Sequence, residues 1–167
     1  MRPQHWLKRI LFCILAVGLL VCGCQSNTEK AKAYYIEGIA YWNRNDFDKA
    51  IVSLTEAIRL DPTLAQAYYK RGLAYGKKND YNKEIADLTE AIRLDPSMAP
   101  AYHRRGLAYG NKGDHDREIA DYTDAIQADP KYVDAYYERG RAYEAKGEKD
   151  KAAGDFEQIK RLSYNAP

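Results

Sequence analysis

Two patterns of apolar and polar positions divide the chain. Residues Ile10 to Val21 form an uninterrupted apolar run of twelve. From residue 31 onward the apolar positions are instead spaced. Ile51, Leu54, Ala57 and Ile58 stand three or four residues apart, and Ile85, Leu88, Ala91 and Ile92 repeat the arrangement, which is the stripe of an amphipathic helix. The segments Ile51 to Pro62 and Ile85 to Pro96 agree at ten of twelve positions. Gly38, Gly72, Gly106 and Gly140 are spaced by 34 residues each time. Tyr34, Tyr68, Tyr102 and Tyr136 precede these glycines by four positions, while Ala40, Ala74, Ala108 and Ala142, then Tyr41, Tyr75, Tyr109 and Tyr143, follow them. A fixed period of this length is the mark of a stacked-repeat architecture.

Turn residues place two helices in each period. The first helix of the first unit is expected from Ala31 to Arg44 and the second from near Asp48, after the turn Asn45-Asp46-Phe47. The equivalent turns are Asn79-Asp80-Tyr81, Gly113-Asp114-His115 and Gly147-Glu148-Lys149, where Asn or Gly accepts the left-handed backbone that ends a helix. Asp61-Pro62, Asp95-Pro96 and Asp129-Pro130 close three units, because a proline drives the residue before it out of helical geometry. The repeated glycine lets two antiparallel helices approach closely while Tyr34, Tyr41 and Leu54 fill the surrounding space. Its helix propensity is about 1 kcal/mol worse than alanine's, so packing must compensate.

The period, the Tyr-x-x-x-Gly-x-Ala-Tyr sequence, the small residue at Ala57 and the Asp-Pro ending together resemble the tetratricopeptide repeat, from Ala31 to Ala166. The resemblance implies an all-α, right-handed solenoid of four helix-turn-helix repeats, at 31–64, 65–98, 99–132 and 133–166. Glu84 and Glu118 replace the small residue seen at Ala50 and Ala152, which predicts a looser turn in the middle repeats. The fourth unit departs from the pattern at Ile159 and Tyr164. Its last helix, from Lys149 to Leu162, either caps the solenoid with its charges or offers an end for self-association into homo-oligomers.

Composition excludes several classes. The chain has 167 residues with 46% apolar and 30% charged, enough for one globular domain. Its aromatic content rests on 15 Tyr against 3 Phe and 2 Trp, rings whose polar tips suit a partly wet surface. The net charge of +2 depends on Arg2, Lys8 and Arg9, since 23 basic residues face 24 acidic ones elsewhere. No clustered basic stripe remains to hold phosphates, so nucleic acid is set aside as a partner.

The apolar run has basic residues before it and small, polar ones after it, the layout of an export signal. As a helix it spans about 18 Å against a hydrocarbon core of roughly 30 Å, short for a permanent anchor. All three cysteines, Cys13, Cys22 and Cys24, lie here. Val21-Cys22-Gly23-Cys24 resembles the lipobox of bacterial lipoproteins, which implies a signal peptide over 1–23, lipidation of Cys24, and a short linker over 24–30. Several acyl chains on one cysteine give firm anchoring in a lipid bilayer where a single chain does not. Gln25 in place of Asp resembles outer-membrane sorting, which implies a periplasmic location in a Gram-negative cell. A plain signal peptide and an uncleaved anchor stay as alternatives.

No arrangement of residues resembles a catalytic constellation, and none calls for a cofactor or metal. His103 and His115 lack partners at a recurring metal spacing, and no serine sits in a Gly-x-Ser-x-Gly turn. Asp114-His115-Asp116 occupies a loop filled by Asp46-Phe47-Asp48 and Asp80-Tyr81-Asn82 in other units, so these are turn residues first. In the tetratricopeptide family the first helix of each unit lines a concave groove that binds peptide segments. The resemblance therefore implies a binding face of Tyr35, Ile39, Trp42, Tyr69, Leu73, Lys77, His103, Leu107, Tyr137 and Arg141, with Gly76 and Gly110 leaving room beside it. Ile39, Leu73 and Leu107 have the alternative of packing between neighbouring first helices. A family subgroup grips chaperone-tail carboxylates; of the positions it uses, which here hold Tyr35, Ile39, Lys70, Pro100 and Arg104, only Arg104 fits, so that mode is rejected. The sequence thus points to a tethered adaptor that binds another envelope protein. Self-assembly, or a small-ligand or enzymatic use of the Tyr-rich groove with Asp134 and Glu144 as carboxylates, are the competing classes.

Overall fold

Turn chemistry sets the boundaries between successive helices. The structure is a computed structural model that describes residues 27–164. Helix α1 covers residues 27–43, followed by α2 Phe47–Leu60, α3 Ala65–Lys77, α4 Tyr81–Leu94, α5 Ala99–Asn111, α6 His115–Ala128, α7 Val133–Ala145 and α8 Lys149–Tyr164. Asn45, Asn79, Gly113 and Gly147 take the left-handed backbone, with φ of 58°, 60°, 78° and 77°. The next residue then caps the second helix: Asp46, Asp80 and Asp114 accept from the backbone N–H of Lys49, Lys83 and Arg117. At the far end Asp61, Asp95 and Asp129 are extended, with φ near −138°, and their carboxylates accept from the N–H of Thr63, Ser97 and Lys131.

The result is the all-α solenoid of paired helices. One boundary differs from expectation. Residues 27–30, expected as linker, are helical and extend α1 backwards by a turn; Glu29 and Lys32, 3.5 Å apart, pair along that turn. Among the described residues no helix is long and apolar enough to cross a membrane.

Each pair closes on its glycine. A Cβ built on Gly38 would lie 2.7 Å from Leu54, on Gly106 2.7 Å from Tyr122, and on Gly140 2.8 Å from Phe156, while on Gly72 it would meet Leu88 at 3.2 Å. Leu54, Leu88 and Tyr122 are completely buried. Neighbouring pairs share their cores: Leu54, Ala57 and Ile58 of α2 cluster with Ala67 and Tyr68 of α3, and Leu88 and Ile92 of α4 with Ala101 and Tyr102 of α5.

A charged bridge recurs at each joint. The Arg71 guanidinium donates to both carboxylate oxygens of Asp87 within its own unit, at 2.8 Å each, and to Thr55 of the preceding unit at 3.0 Å. Arg105 does the same with Asp121 and Thr89, and Arg139 with Asp155 and Thr123. These arginine heads carry the contact, and each guanidinium also lies over a tyrosine ring of its own unit, Tyr68, Tyr102 or Tyr136. The first unit has Glu37 and Ser53 in place of the pair, and the fourth has Glu157 in place of the threonine. Around α8, Glu157 and Lys160 are exposed and pair at 3.8 Å, so the outer side of the last helix is polar.

Removing one partner of a buried bidentate pair strands the other charge. Arg105→Ala is therefore expected to lower unfolding stability by about 2 to 4 kcal/mol in a urea titration, whereas Arg105→Met with Asp121→Leu recovers most of that loss.

Candidate functional site

The odd-numbered helices carry the residues expected to face a partner. Tyr35 and Trp42 of α1 are half-buried and pack against the Ala50, Leu54 and Ile58 cluster, with the Trp42 ring edge-on to Phe47 at 5.0 Å. Tyr69 of α3 leans on the Leu88 and Met98 cluster, and Lys70 lies 5.6 Å over its ring. Ile39, Leu73 and Leu107 are half-buried. Tyr137 of α7 is 48% exposed and lies 6.3 Å from the Phe156 ring. Lys77 and Arg141 are exposed. Tyr35, Trp42 and Tyr69 are therefore held by the core while part of each ring stays accessible.

His103 does not belong to that surface. Only 9% of it is exposed. Its ring is held between Tyr122, at 5.7 Å, and Tyr132, at 5.4 Å between centroids, and its Nδ1 lies 3.4 Å from the Tyr132 hydroxyl. Burial lowers its pKa from 6.5, with Asp134 pulling upward and Arg104 downward. Next to it, burial with the nearby Asp134 carboxylate pushes the Tyr132 hydroxyl up to about 12.

Gly76 and Gly110 leave no room for a ligand, and the middle repeats are not loosened. The Glu84 side chain fills the space above Gly76, 2.5 Å from where a Cβ would stand, and Glu118 fills it above Gly110 at the same distance. Glu84 is 2% exposed and accepts from Arg104 Nη2 at 3.0 Å; burial raises its pKa against the opposing pull of Arg104. Glu118 accepts from the buried Tyr122 hydroxyl at 3.2 Å and meets His115 Nδ1 at 2.8 Å. Sequence comparison between units carries this signal: Trp42 pairs with Ala50, Gly76 with Glu84, Gly110 with Glu118 and Glu144 with Ala152, so every unit has one large and one small residue.

Loop Asp114-His115-Asp116 is committed to structure. Asp114 caps α6 and pairs with Arg117, His115 meets Glu118, and Asp116 accepts from Lys146 at 2.7 Å. Among the described residues no group of three or more His, Cys, Asp or Glu side chains could hold a metal ion. Cys24 lies outside the described residues.

Family models described as TPR repeat or tetratricopeptide repeat match residues 38–79, 65–98 and 103–167. A solved structure titled as MamA is 31% identical, covering 84% of this chain and 82% of its own, with a TM-score of 0.79. The chain belongs to the tetratricopeptide repeat family. A second tetratricopeptide structure, MamA 41-end from Desulfovibrio magneticus RS-1, is 25% identical over 80% of this chain and 76% of its own, with a TM-score of 0.74. The first TPR of Spaghetti (RPAP3), bound to the HSP90 peptide SRMEEVD, shares the fold at 24% identity and a TM-score of 0.70, covering 72% of this chain and 95% of its own. No curated protein matches the sequence. In the tetratricopeptide arrangement the first helices, here α1, α3, α5 and α7, line the inner face.

Two predictions arise from these contacts. Gly76→Ala is expected to destabilise by about 1 kcal/mol, because the new methyl displaces Glu84 from Arg104; in a Glu84→Ala background the same change becomes stabilising by about 1 kcal/mol through helix propensity. Thermal melts of the four variants read the change of sign. His103, held neutral when folded, contributes stability in full above pH 6.5, and that contribution falls away as the pH drops towards its lowered folded-state pKa. The wild type should therefore lose more stability than His103→Gln between about pH 6.5 and 5.5, measured by urea titrations at each pH.

Proposed function

We propose that the protein is a membrane-tethered adaptor of the bacterial cell envelope, anchored by lipid on Cys24 and binding a segment of another envelope protein along the inner face. The observation that carries this reading is the aromatic stripe of Tyr35, Trp42, Tyr69 and Tyr137 across three first helices. Tyr35, Trp42 and Tyr69 pack against the core and stay partly open to solvent, and Tyr137 is exposed beside Phe156. Rigid, pre-positioned aromatic rings concentrate binding energy because little side-chain entropy remains to be lost on contact. Exposed Lys77 of α3 and Arg141 of α7 supply cations for an acidic flank on the partner.

The lipid anchor is supported by the lipobox-like Val21-Cys22-Gly23-Cys24 and by the helix that begins within a few residues of Cys24. Such a short connection holds the solenoid close to the bilayer surface. A non-catalytic role agrees with the family, whose surfaces hold partners without transforming them.

Crosslinked purification from the native envelope tests the reading, comparing the natural chain with a Tyr69→Ala, Leu73→Ser variant whose circular dichroism is unchanged. The same specific partner should be recovered by the first and reduced at least about tenfold by the second; equal recovery by both contradicts the inner-face reading. Mass spectrometry of the membrane-extracted chain should find acyl mass on an amino-terminal Cys24. An unmodified cysteine there removes the anchor.

A further inference from the structure

A further uncovered surface lies on the first helix. On the later first helices, the side turned to the preceding unit is covered: Ala67, Ala101 and Ala135 are fully buried. Ala67 and Tyr68 share a cluster with Ala57 and Ile58 of α2, and Ala101 and Tyr102 with Leu88 and Ile92 of α4. Helix α1 carries the same residues one period earlier, Ala33, Tyr34 and Ala40, but there they are exposed. Tyr34 is 38% exposed and the neighbouring Ile36 66%. Lys30, Ala33, Tyr34 and Glu37 line a cavity of about 250 Å³.

We infer that this face of α1 is a seat for one amphipathic helix of a partner protein, presenting an aliphatic stripe with a lysine or arginine opposite Glu37. The internal joints supply the template. There the seat receives helices that offer isoleucine, threonine and isoleucine on one side, as in Ile51, Thr55 and Ile58, with the threonine accepting from the arginine that Glu37 replaces. Changing that arginine to a carboxylate changes the charge the occupant must bring.

Two other occupants fit worse. An in-register fold-back of residues 13–26 would need a turn at 27–30, where the unit boundary places Asp61-Pro62-Thr63-Leu64, and those residues are helical. A second copy stacked end to end would offer Ala153, Glu157 and Lys160 of α8 in place of Ile51, Thr55 and Ile58, setting Glu157 against Glu37. Like charges at that point repel. The inference is independent of the inner-face reading, since none of Tyr35, Trp42, Tyr69 or Tyr137 takes part.

The test uses the full chain in detergent and two labelled peptides with the α2 sequence Phe47–Leu60, stapled on the outer side to stay helical, one carrying Thr55→Lys and the other Thr55→Glu. Fluorescence anisotropy should show the lysine peptide binding at least about tenfold more tightly than the glutamate peptide, with the preference reversed by Glu37→Lys in the protein. Ala33→Arg, at an exposed position, should abolish both while circular dichroism stays unchanged. Equal binding of both peptides, no binding, or indifference to Ala33→Arg overturns the proposal. So does sedimentation showing an oligomer that Ala33→Arg dissociates, which assigns the seat to a second copy. Flotation of a Cys24→Ser chain with phosphatidylglycerol vesicles, lost on Tyr34→Ala with Ile36→Ser while neither peptide binds, assigns it to a lipid surface and equally overturns the helix.

Discussion

The whole architecture depends on how closely two helices of a unit can approach. At Gly38, Gly72, Gly106 and Gly140 the absent side chain is replaced by Leu54, Leu88, Tyr122 and Phe156 from the opposite helix. Interiors pack at crystal-like density, so a methyl at these points must displace a buried neighbour. A second exchange of volume occurs about a turn away. Trp42 packs against the cluster that holds Ala50, whereas Gly76 and Gly110 admit Glu84 and Glu118. The two exchanges fix the pairing of the helices, and that pairing determines which sides of the first helices remain uncovered.

Between units the chain relies on polar geometry. Each arginine fork holds an aspartate in its own unit and a threonine in the unit before it. A buried ion pair adds little net stability over apolar packing, but it penalises misplacement strongly, because a slipped register strands a charge. The bridge therefore sets the angle at which units follow one another. It also marks the ends: Glu37 and Ser53 in the first unit, and Glu157 in the last, depart from the bridge where no further unit adjoins among the described residues. Among the described residues, α8 exposes Glu157 and Lys160 while α1 exposes Ala33 and Ala40.

Much of this was legible in the sequence. The Asp-Pro stops and the Asn or Gly turns placed the start of α2 near Asp48 and of α8 at Lys149, within a residue of where they stand, since these signals are local and steric. The start of α1 was missed although Ser26-Asn27-Thr28-Glu29 has the Ser-x-x-Glu spacing that marks a helix start. Glu84 and Glu118 were misjudged because each position was compared with its own equivalents instead of with its contact partner; the exchange becomes visible only when Gly76 and Gly110 are read beside them. His103 was placed on the inner face by register, but the neighbouring tyrosines, Tyr122 and Tyr132, cover it. The arginine bridge depends on partners sixteen residues away on both sides, which only the fold brings together.

The proposed function makes the solenoid a rigid display of its inner face, in keeping with its membership of a family of protein-interaction scaffolds. The most direct measurement is photo-crosslinking in living cells with a benzophenone amino acid placed singly at Tyr69, at Tyr137 and at Val52, which is exposed on α2. The account predicts one common crosslinked partner from positions 69 and 137 and none from 52. A partner captured from position 52, with nothing from the other two, would contradict it.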